Sequence, residues 1–253
     1  EIDGLRSIAV GAVILYHAQI IIFGHQIFKG GFIGVDIFFV ISGYLITSII
    51  LKELFATVSF SFKYFYERRI RRILPALLFV MLVSLPFAWI YLLPNTFVDF
   101  SKSIISSIGF SSNLYFHYTG QQYGADSGLL KPFLHTWSLS IEEQFYLIFP
   151  LILLILFKYF RKYLIQILTI GFILSLVLAD QISRNYPSTS FYFLHTRMWE
   201  LLAGSILSYF EIKKGHRSKN KLFNSILPIF GLLLIGHSFL FFDDKILHPS
   251  FLT

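Results

Sequence analysis

Residues 34–54 read GVDIFFVISGYLITSIILKEL, a run in which Asp36 is the only charged side chain before Lys52. A helix of this length, at about 1.5 Å per residue, spans roughly the 30 Å hydrocarbon core of a bilayer. Lipid offers backbone groups no hydrogen-bond partners, so a helix is the expected form. Ser42 and Gly43 within the run permit close packing of a second helix. The run therefore predicts a transmembrane helix with one acidic side chain near its start.

The whole chain has the same apolar character. Of its 253 residues, 55% are hydrophobic and 14% are charged, and its mean hydropathy is +0.68. A single water-soluble core does not accommodate this composition, so lipid is the expected solvent for most of it. The net charge of +7 does not indicate nucleic-acid binding, because the basic residues lie in short runs between apolar segments. There is no cysteine, hence no disulfide or thiolate zinc site, and no metal site is predicted.

Seven stretches are long and apolar enough to be predicted as membrane spans, which makes the expected fold all-α, a polytopic transmembrane helix bundle. They are residues 5–23, 34–54, 73–93, 138–157, 163–179, 191–210 and 222–242. A shorter, serine-containing stretch, residues 104–116, is predicted to be an interfacial or re-entrant helix in the segment between the third and fourth spans.

Basic residues are distributed unevenly between the two sets of connecting loops. Fourteen lie in or beside the loops after the second, fourth and sixth spans, against six in the alternate loops. This bias predicts a cytoplasmic amino terminus and cytoplasmic basic loops. The fourteen are Lys52, Lys63, Arg68, Arg69, Arg71, Arg72, Lys158, Arg161, Lys162, Lys213, Lys214, Arg217, Lys219 and Lys221; the six are Lys29, Lys102, Lys131, Arg184, Arg197 and Lys245.

Arg6 and His17 lie eleven residues apart in the first predicted span. On a helix this separation returns to within about 20° of the same face and covers about 16 Å of the axis. Ionisable groups are costly inside a membrane, so they indicate function, and a neutral imidazole can take a proton from a hydroxyl. A packing histidine beside a snorkelling arginine explains the same pair.

Further charges lie near the predicted outer ends of spans. Asp36 can orient a histidine or pair with an arginine. Glu142 and Glu143 can contact a coupling ion or a sugar hydroxyl, or can simply favour the start of a helix. Arg197 and Glu200, three residues apart on one face, can neutralise each other.

The densest basic run lies just before Pro75, which is interpreted as a helix start. Membrane topology explains this run, but its density also favours an anion site for phosphates. The run consists of Arg68, Arg69, Arg71 and Arg72. The other histidines show no pattern of partners; they include His25, His117, His216, His237 and His248.

Taken together and in order, these motifs resemble the bacterial acyltransferase-3 family. The motifs are the R-x10-H arrangement of Arg6 and His17, the stretch at 34–45, FYERRIRRILP at 65–75, LHTWSLSIEEQFY at 134–146 and RMWELLAG at 197–204.

The resemblance implies O-acylation, commonly acetylation, of lipopolysaccharide O-antigen, peptidoglycan or another exported glycan in the bacterial inner membrane. The expected donor substrate is cytoplasmic acyl-CoA, acetyl-CoA first, with no bound cofactor. Family members have about ten helices, so residues 1–253 are interpreted as a membrane acyltransferase domain that is incomplete at its carboxyl end. An SGNH hydrolase-like domain is a possible partner in the full-length chain, beyond Thr253. Membrane lipid and a lipid-linked or exported glycan are the other expected partners, and nucleic acid is not.

The resemblance also implies roles for residues. His17 and Arg6 match essential residues of the family, and the four arginines of the basic run are expected to bind the donor. Asp36, singled out by its position in the second span, is the third expected catalytic residue. The acceptor side is assigned to His135, Trp137, Ser140, Glu142, Glu143, Arg197 and Glu200. The alternative function is a transporter or flippase of a lipid-linked sugar, which moves its substrate without forming a covalent product. A membrane scaffold, the third class, tolerates replacement of His17 and Glu142.

Overall fold

The computed structural model describes residues 2–22, 25–26, 28–57, 59–121, 131–214, 221–243, 246–251 and 253. Over these ranges the chain forms ten α-helices and one short antiparallel strand pair, so the predicted all-α class is confirmed. The helices are α1 (Ile2–His17), α2 (Gly34–Thr57), α3 (Phe62–Tyr91), α4 (Pro94–Ile108), α5 (Ser112–Gly120), α6 (Thr136–Tyr159), α7 (Leu164–Asn185), α8 (Pro187–Tyr192), α9 (Leu194–Lys214) and α10 (Lys221–Phe241). Strands β1 (Ile21–Ile22) and β2 (His25–Gln26) pair with each other, and 3₁₀ turns at Gly31–Ile33 and Arg161–Tyr163 precede α2 and α7.

Within the described residues, five helical segments are long and apolar enough to cross a membrane. They coincide with the predicted second, third, fourth, fifth and seventh spans, which confirms a polytopic helical bundle. The segments are Gly31–Thr57, Phe62–Tyr91, Thr136–Tyr159, Arg161–Asn185 and Asn224–Phe241.

The other two predicted spans are helices of a different kind. α1 has 16 residues and ends at His17, before the predicted end at residue 23. α9 has 21 residues, but it carries Arg197 and Glu200 within its first two turns. Of the basic loop predicted after the sixth span, Arg217 and Lys219 lie outside the described residues.

The predicted start of the third span is wrong. α3 begins at Phe62, so the arginine run occupies its first three turns and is not a loop. Two local interactions favour this early start: the Ser61 hydroxyl accepts from the backbone N–H of Tyr64, and Glu67 pairs with Arg71 one turn later at 2.7 Å. Pro75 lies inside the helix.

The single helix predicted at residues 104–116 is also wrong, because two helices share this stretch. α4 ends before Gly109, and Phe110 has the left-handed φ of 50° that turns the chain into α5. Residues 122–130, from the same predicted outer segment, lie outside the described residues.

The chain divides into two compact units. Unit 1 comprises Glu1–Ala56, Leu153–Phe191 and His195–Thr253, and therefore contains α1, α2, α7, α9 and α10. Unit 2 comprises Thr57–Ile152 and Tyr192–Leu194, and contains α3, α4, α5 and the first two thirds of α6.

In unit 1, α2 and α9 pack with their backbones in close contact. Gly43 on α2 faces the carbonyl of Leu201, and Gly204 on α9 faces the carbonyl of Val40. A Cβ at either glycine would overlap the facing oxygen. Small residues thus allow the close approach that Ser42 and Gly43 had suggested in the sequence.

Polar contacts fix the direction of this helix pair. The hydroxyls of Ser48 and Ser208 lie 2.8 Å apart, and Tyr44 donates to Glu211. Later positions on α2 meet later positions on α9, so the two helices are parallel. Successive spans cross the membrane in opposite directions, so the second and sixth predicted spans are also expected to be parallel.

Replacing Gly43 by alanine tests this contact. Alanine favours a helix by about 1 kcal/mol over glycine, yet here we expect a net loss of roughly 1–3 kcal/mol because the methyl group overlaps a backbone oxygen. The measurement is thermal unfolding of the purified protein in detergent. Gly231→Ala on α10, where nothing lies within 4 Å of the new Cβ, is the matched control. Equal effects of the two substitutions would contradict the close contact.

Candidate active site

Charged side chains are buried in unit 1 around the guanidinium of Arg197. Its Nη1 donates to Asp36 Oδ1 at 2.9 Å and to Glu200 Oε1 at 3.0 Å. Arg197 and Glu200 are fully buried, and Asp36 is nearly so. Buried charges persist in apolar surroundings only when they are paired and hydrogen-bonded, so these side chains stabilise one another. Of the two roles considered for Asp36, the structure shows the pairing with an arginine.

The start of α9 is anchored so that Arg197 is held in place. Thr196 donates to the carbonyl of Ser190 at 2.7 Å. On α7, the Ser175 hydroxyl donates to the carbonyl of His195 and accepts from the backbone N–H of Trp199. These bonds tie the first turns of α9 to α7 and α8 and fix the rotation of α9.

His248, in the segment after α10, completes the cluster. Its Nε2 lies 3.6 Å from Asp36 Oδ1, and its ring packs edge-on against Phe32 with centroids 5.0 Å apart. Burial and the nearby Arg197 guanidinium hold the pKa of His248 well below its usual 6.5. The imidazole is therefore neutral at pH 7, and its contact with Asp36 is polar and not ionic. Sequence reasoning missed His248, because no spacing or motif links it to Asp36.

Three buried atoms of the acidic and histidine side chains of this cluster have no hydrogen-bond partner within the described part of the chain. They are Asp36 Oδ2, Glu200 Oε2 and His248 Nδ1. A buried polar atom left in this state costs roughly 1–3 kcal/mol, and such atoms commonly mark a functional site. Over the same residues, no group of three His, Cys, Asp or Glu side chains is arranged to hold a metal ion.

Arg6 and His17 lie on α1, with their predicted helical separation. Arg6 is half-buried and lies 3.6 Å from Asp3. His17 is the last residue of α1 and is exposed, with Nδ1 2.9 Å from the carbonyl of Val13. The sequence placed His17 well inside a span, but the helix stops there because the chain turns at Gln19, whose φ is 48°.

His17 and the buried cluster occupy the same end of unit 1. α1 packs antiparallel to the start of α2, with Ala12 against Gly31. A row of aromatic contacts then joins His17 to Tyr16, Tyr16 to Phe32 and Phe32 to His248, with centroid separations of 5.1, 5.9 and 5.0 Å. The two groups of residues are therefore near each other but are separated by aromatic rings.

In unit 2 one member of the arginine run, Arg69, packs against α6. Arg69 lies 3.3 Å from Glu143, and its guanidinium is 3.6 Å from the centre of the Tyr146 ring. Tyr66 donates to the carbonyl of Leu147 at 3.0 Å. The sequence assigned Arg69 and Glu143 to opposite faces of the membrane, whereas the structure joins them. The reason is the early start of α3, which carries Arg69 into the helix pair.

The other three arginines have different surroundings. Arg68 donates from Nε to the carbonyl of Tyr64 at 3.3 Å, and Arg71 is occupied by Glu67. Arg72 is exposed and lines an open cleft of about 320 Å³ together with His135. The rest of the cleft is apolar and consists of Ile73, Ala76, Leu77, Val80, Phe133 and Leu139.

The remaining predicted acceptor-side residues pack between the helices of unit 2. The Ser140 hydroxyl lies 2.7 Å from that of Ser112 and is buried, and the buried Trp137 packs edge-on against Tyr192. Glu142 accepts from the Tyr146 hydroxyl at 3.1 Å. Ser140 and Trp137 therefore hold α6 to its neighbours.

Comparison with known proteins identifies related sequences over nearly the whole chain. The family described as "Acyltransferase domain" matches residues 1–252. The chain is 36% identical to "O-acetyltransferase OatA" of Staphylococcus aureus over 96% of its own length and 40% of the relative's. It is 40% identical to "Peptidoglycan O-acetyltransferase OatA" of Listeria monocytogenes, over 83% and 33% of the two lengths.

A Haemophilus influenzae relative named "Uncharacterized protein" is 40% identical over 79% of the chain and 84% of its own length. The chain thus spans less than half of the two OatA relatives. No solved structure matches the chain.

Replacing Arg197 by methionine tests the buried cluster. Two buried carboxyl groups would lose the guanidinium that they share, and we expect a loss of roughly 3–5 kcal/mol in the free energy of unfolding. Arg71→Met, at an exposed pair with Glu67, is the control and should cost about 1 kcal/mol or less. Denaturant unfolding in detergent measures both; a mild Arg197→Met effect would show that the cluster is not essential to the fold.

Proposed function

We infer a function from one premise: the chain belongs to the acyltransferase 3 family and is a multi-pass membrane protein. We propose that it transfers an acyl group, acetyl first, from cytoplasmic acyl-CoA to a hydroxyl of an exported cell-envelope glycan. The observation that carries this proposal is the 36% identity to an O-acetyltransferase over 96% of the chain.

Peptidoglycan is the acceptor that we favour, and lipopolysaccharide O-antigen is the second. The name of the Listeria monocytogenes relative supports the first choice. The OatA relatives are much longer than this chain. We therefore propose that a further domain, of the SGNH hydrolase-like kind, takes part in the reaction of the complete protein.

His17 is the proposed base or acyl carrier. The carbonyl of Val13 can only accept a hydrogen bond, so the 2.9 Å contact assigns the ring proton to Nδ1 and the lone pair to Nε2. As a base, Nε2 takes the proton of the acceptor hydroxyl. The hydroxyl oxygen attacks the thioester carbon at the same time, and the CoA thiolate leaves. As a nucleophile, Nε2 attacks the thioester carbon and the CoA thiolate leaves; the acceptor hydroxyl then attacks the acyl-imidazole, the acyl–nitrogen bond breaks, and Nε2 is freed as the hydroxyl loses its proton. The exposed position of His17 gives a large glycan access to it.

The donor site is proposed at the arginine run of α3. Glu143 and Glu67 already neutralise Arg69 and Arg71, so Arg72 is the arginine best placed for a phosphate. The cleft beside it is lined by the Arg72 guanidinium, by His135 and otherwise by apolar side chains. That combination suits the phosphate and the thin pantetheine arm of CoA.

The transporter or flippase alternative differs in its product. Acyl transfer leaves an ester on the glycan, whereas transport leaves the glycan chemically unchanged. Mass spectrometry of envelope glycans from cells with and without the intact gene separates the two functions. An unchanged ester content together with altered glycan export would replace our proposal by the alternative.

Replacing His17 by alanine tests its role. We expect O-acylation of the glycan to fall by at least about 100-fold, as removal of a base or nucleophile does, while membrane insertion stays normal. His237→Ala, an exposed position on α10, is the control and should retain activity. Ester content is measured by mass spectrometry and protein level by immunoblot. Wild-type ester content in His17→Ala cells would end the assignment.

Replacing Arg72 by glutamine tests the donor site. Loss of a charge-assisted contact to phosphate should raise the KM for acetyl-CoA about tenfold, or roughly 1.4 kcal/mol. Arg71→Gln, one residue away on the same turn, should leave KM nearly unchanged because Arg71 is occupied by Glu67. Steady-state kinetics of the full-length protein in liposomes give both values. Equal shifts would indicate a diffuse electrostatic effect and no specific site.

A further inference from the structure

The cluster around Arg197 contains one guanidinium and two carboxyl groups. Both carboxyls accept from the same atom, Nη1, so the bound oxygens of Asp36 and Glu200 lie no more than about 6 Å apart. Each is at least nine-tenths buried. If both were ionised, the cluster would hold a net negative charge in an apolar site, and two like charges at this separation oppose each other's ionisation.

Among the described residues, the surrounding elements supply no further positive charge. His248, from the segment after α10, is neutral for the reason given above. The 3₁₀ turn before α2 and helix α8 contribute the rings of Phe32 and Phe191, the latter centred 5.0 Å from the Arg197 guanidinium. Among the described residues, Arg197 is therefore the cation that faces both carboxyl groups.

We propose that the cluster is a proton-binding site, and that Glu200 holds the exchangeable proton on Oε2. Two observations favour Glu200 over Asp36. Asp36 Oδ1 has both Arg197 and the Nε2 of His248 nearby, whereas the ion pair that Glu200 makes within the described part of the chain is with Arg197. Glu200 is also fully buried, whereas the Asp36 side chain retains 10% exposure.

The proton accounts for an atom that is otherwise unexplained. Glu200 Oε2 has no hydrogen-bond partner among the described residues. A carboxylate oxygen in that state carries unsatisfied charge, whereas a protonated carboxyl is neutral and turns Oε2 into a hydrogen-bond donor. Such a donor can serve an oxygen atom of a ligand, as protonated buried carboxylic acids do in other enzymes. This inference goes beyond the proposed function, because it holds whatever reaction the protein catalyses.

Infrared spectroscopy of the purified full-length protein in liposomes tests the site directly. We expect the carbonyl stretch of a protonated carboxylic acid at pH 7, shifted on exchange into D₂O and absent from Glu200→Gln. The control is Glu143→Gln, which removes a carboxylate that is paired one-to-one with Arg69 and should leave the band unchanged. A band that survives in Glu200→Gln, or that is missing from the wild type, overturns the proposal.

A second pair of variants gives an independent reading. Asp36→Asn removes the carboxyl group that competes with Glu200 for Arg197, so Glu200 should ionise and the band should vanish. This variant tests the proposal independently if Glu200→Gln does not fold.

The pH dependence of the melting temperature is a further test. Raising the pH should lower the melting temperature of the wild type, because the proton on Glu200 is lost, and should lower that of Glu200→Gln less. If sodium ions, and not protons, stabilise the wild type and have no effect on Glu200→Gln, the site binds a metal cation and the proposal is wrong. These measurements need no acyl transfer, so an inactive protein still allows them.

Discussion

The guanidinium of Arg197 is the constraint on which the rest of unit 1 depends. A fully buried arginine on a membrane helix needs carboxyl groups to accept its hydrogen bonds, and its own helix supplies one of them, Glu200. The other is Asp36, 161 residues earlier in the sequence. Their bond requires α2 and α9 to lie side by side with one register. The facing glycines, Gly43 and Gly204, allow the approach, and the segment after α10 covers the ion pair with His248.

Much of the fold follows from hydropathy, because a long apolar run has few alternatives to a membrane helix. Errors occur where polarity and secondary structure disagree. The arginine run of α3 looks like a loop by hydropathy, yet capping by Ser61 and the Glu67–Arg71 pair extend the helix through it. In the opposite sense, apolar residues continue past His17 although the helix has ended. Hydropathy reports the surroundings of a segment and does not report its hydrogen bonds.

The candidate site was predictable in part. Asp36, Arg197 and Glu200 are visible in the sequence because a charge in an apolar run is expensive and therefore informative. Their mutual contacts were not visible, since pairing across the fold leaves no mark in local spacing. Arg69 and Glu143 show the same limit more strongly, because topology alone assigned them to opposite faces and the packing of α3 on α6 joins them. No sequence pattern indicated His248, because its contact with Asp36 exists only in the folded chain.

The polarity of α9 has a consequence for how the protein is made. α9 is not among the described helices that length and composition alone mark as able to cross a membrane, and it carries Arg197, Glu200 and Glu211. Emerging from the ribosome, α9 therefore gains little by entering lipid alone. Its insertion requires that α2, synthesised well over a hundred residues earlier, is already in the membrane with Asp36 accessible to Arg197. Biogenesis of this domain thus depends on a late helix being recruited by an early one, and a defect in α2 would appear first as failed insertion of α9.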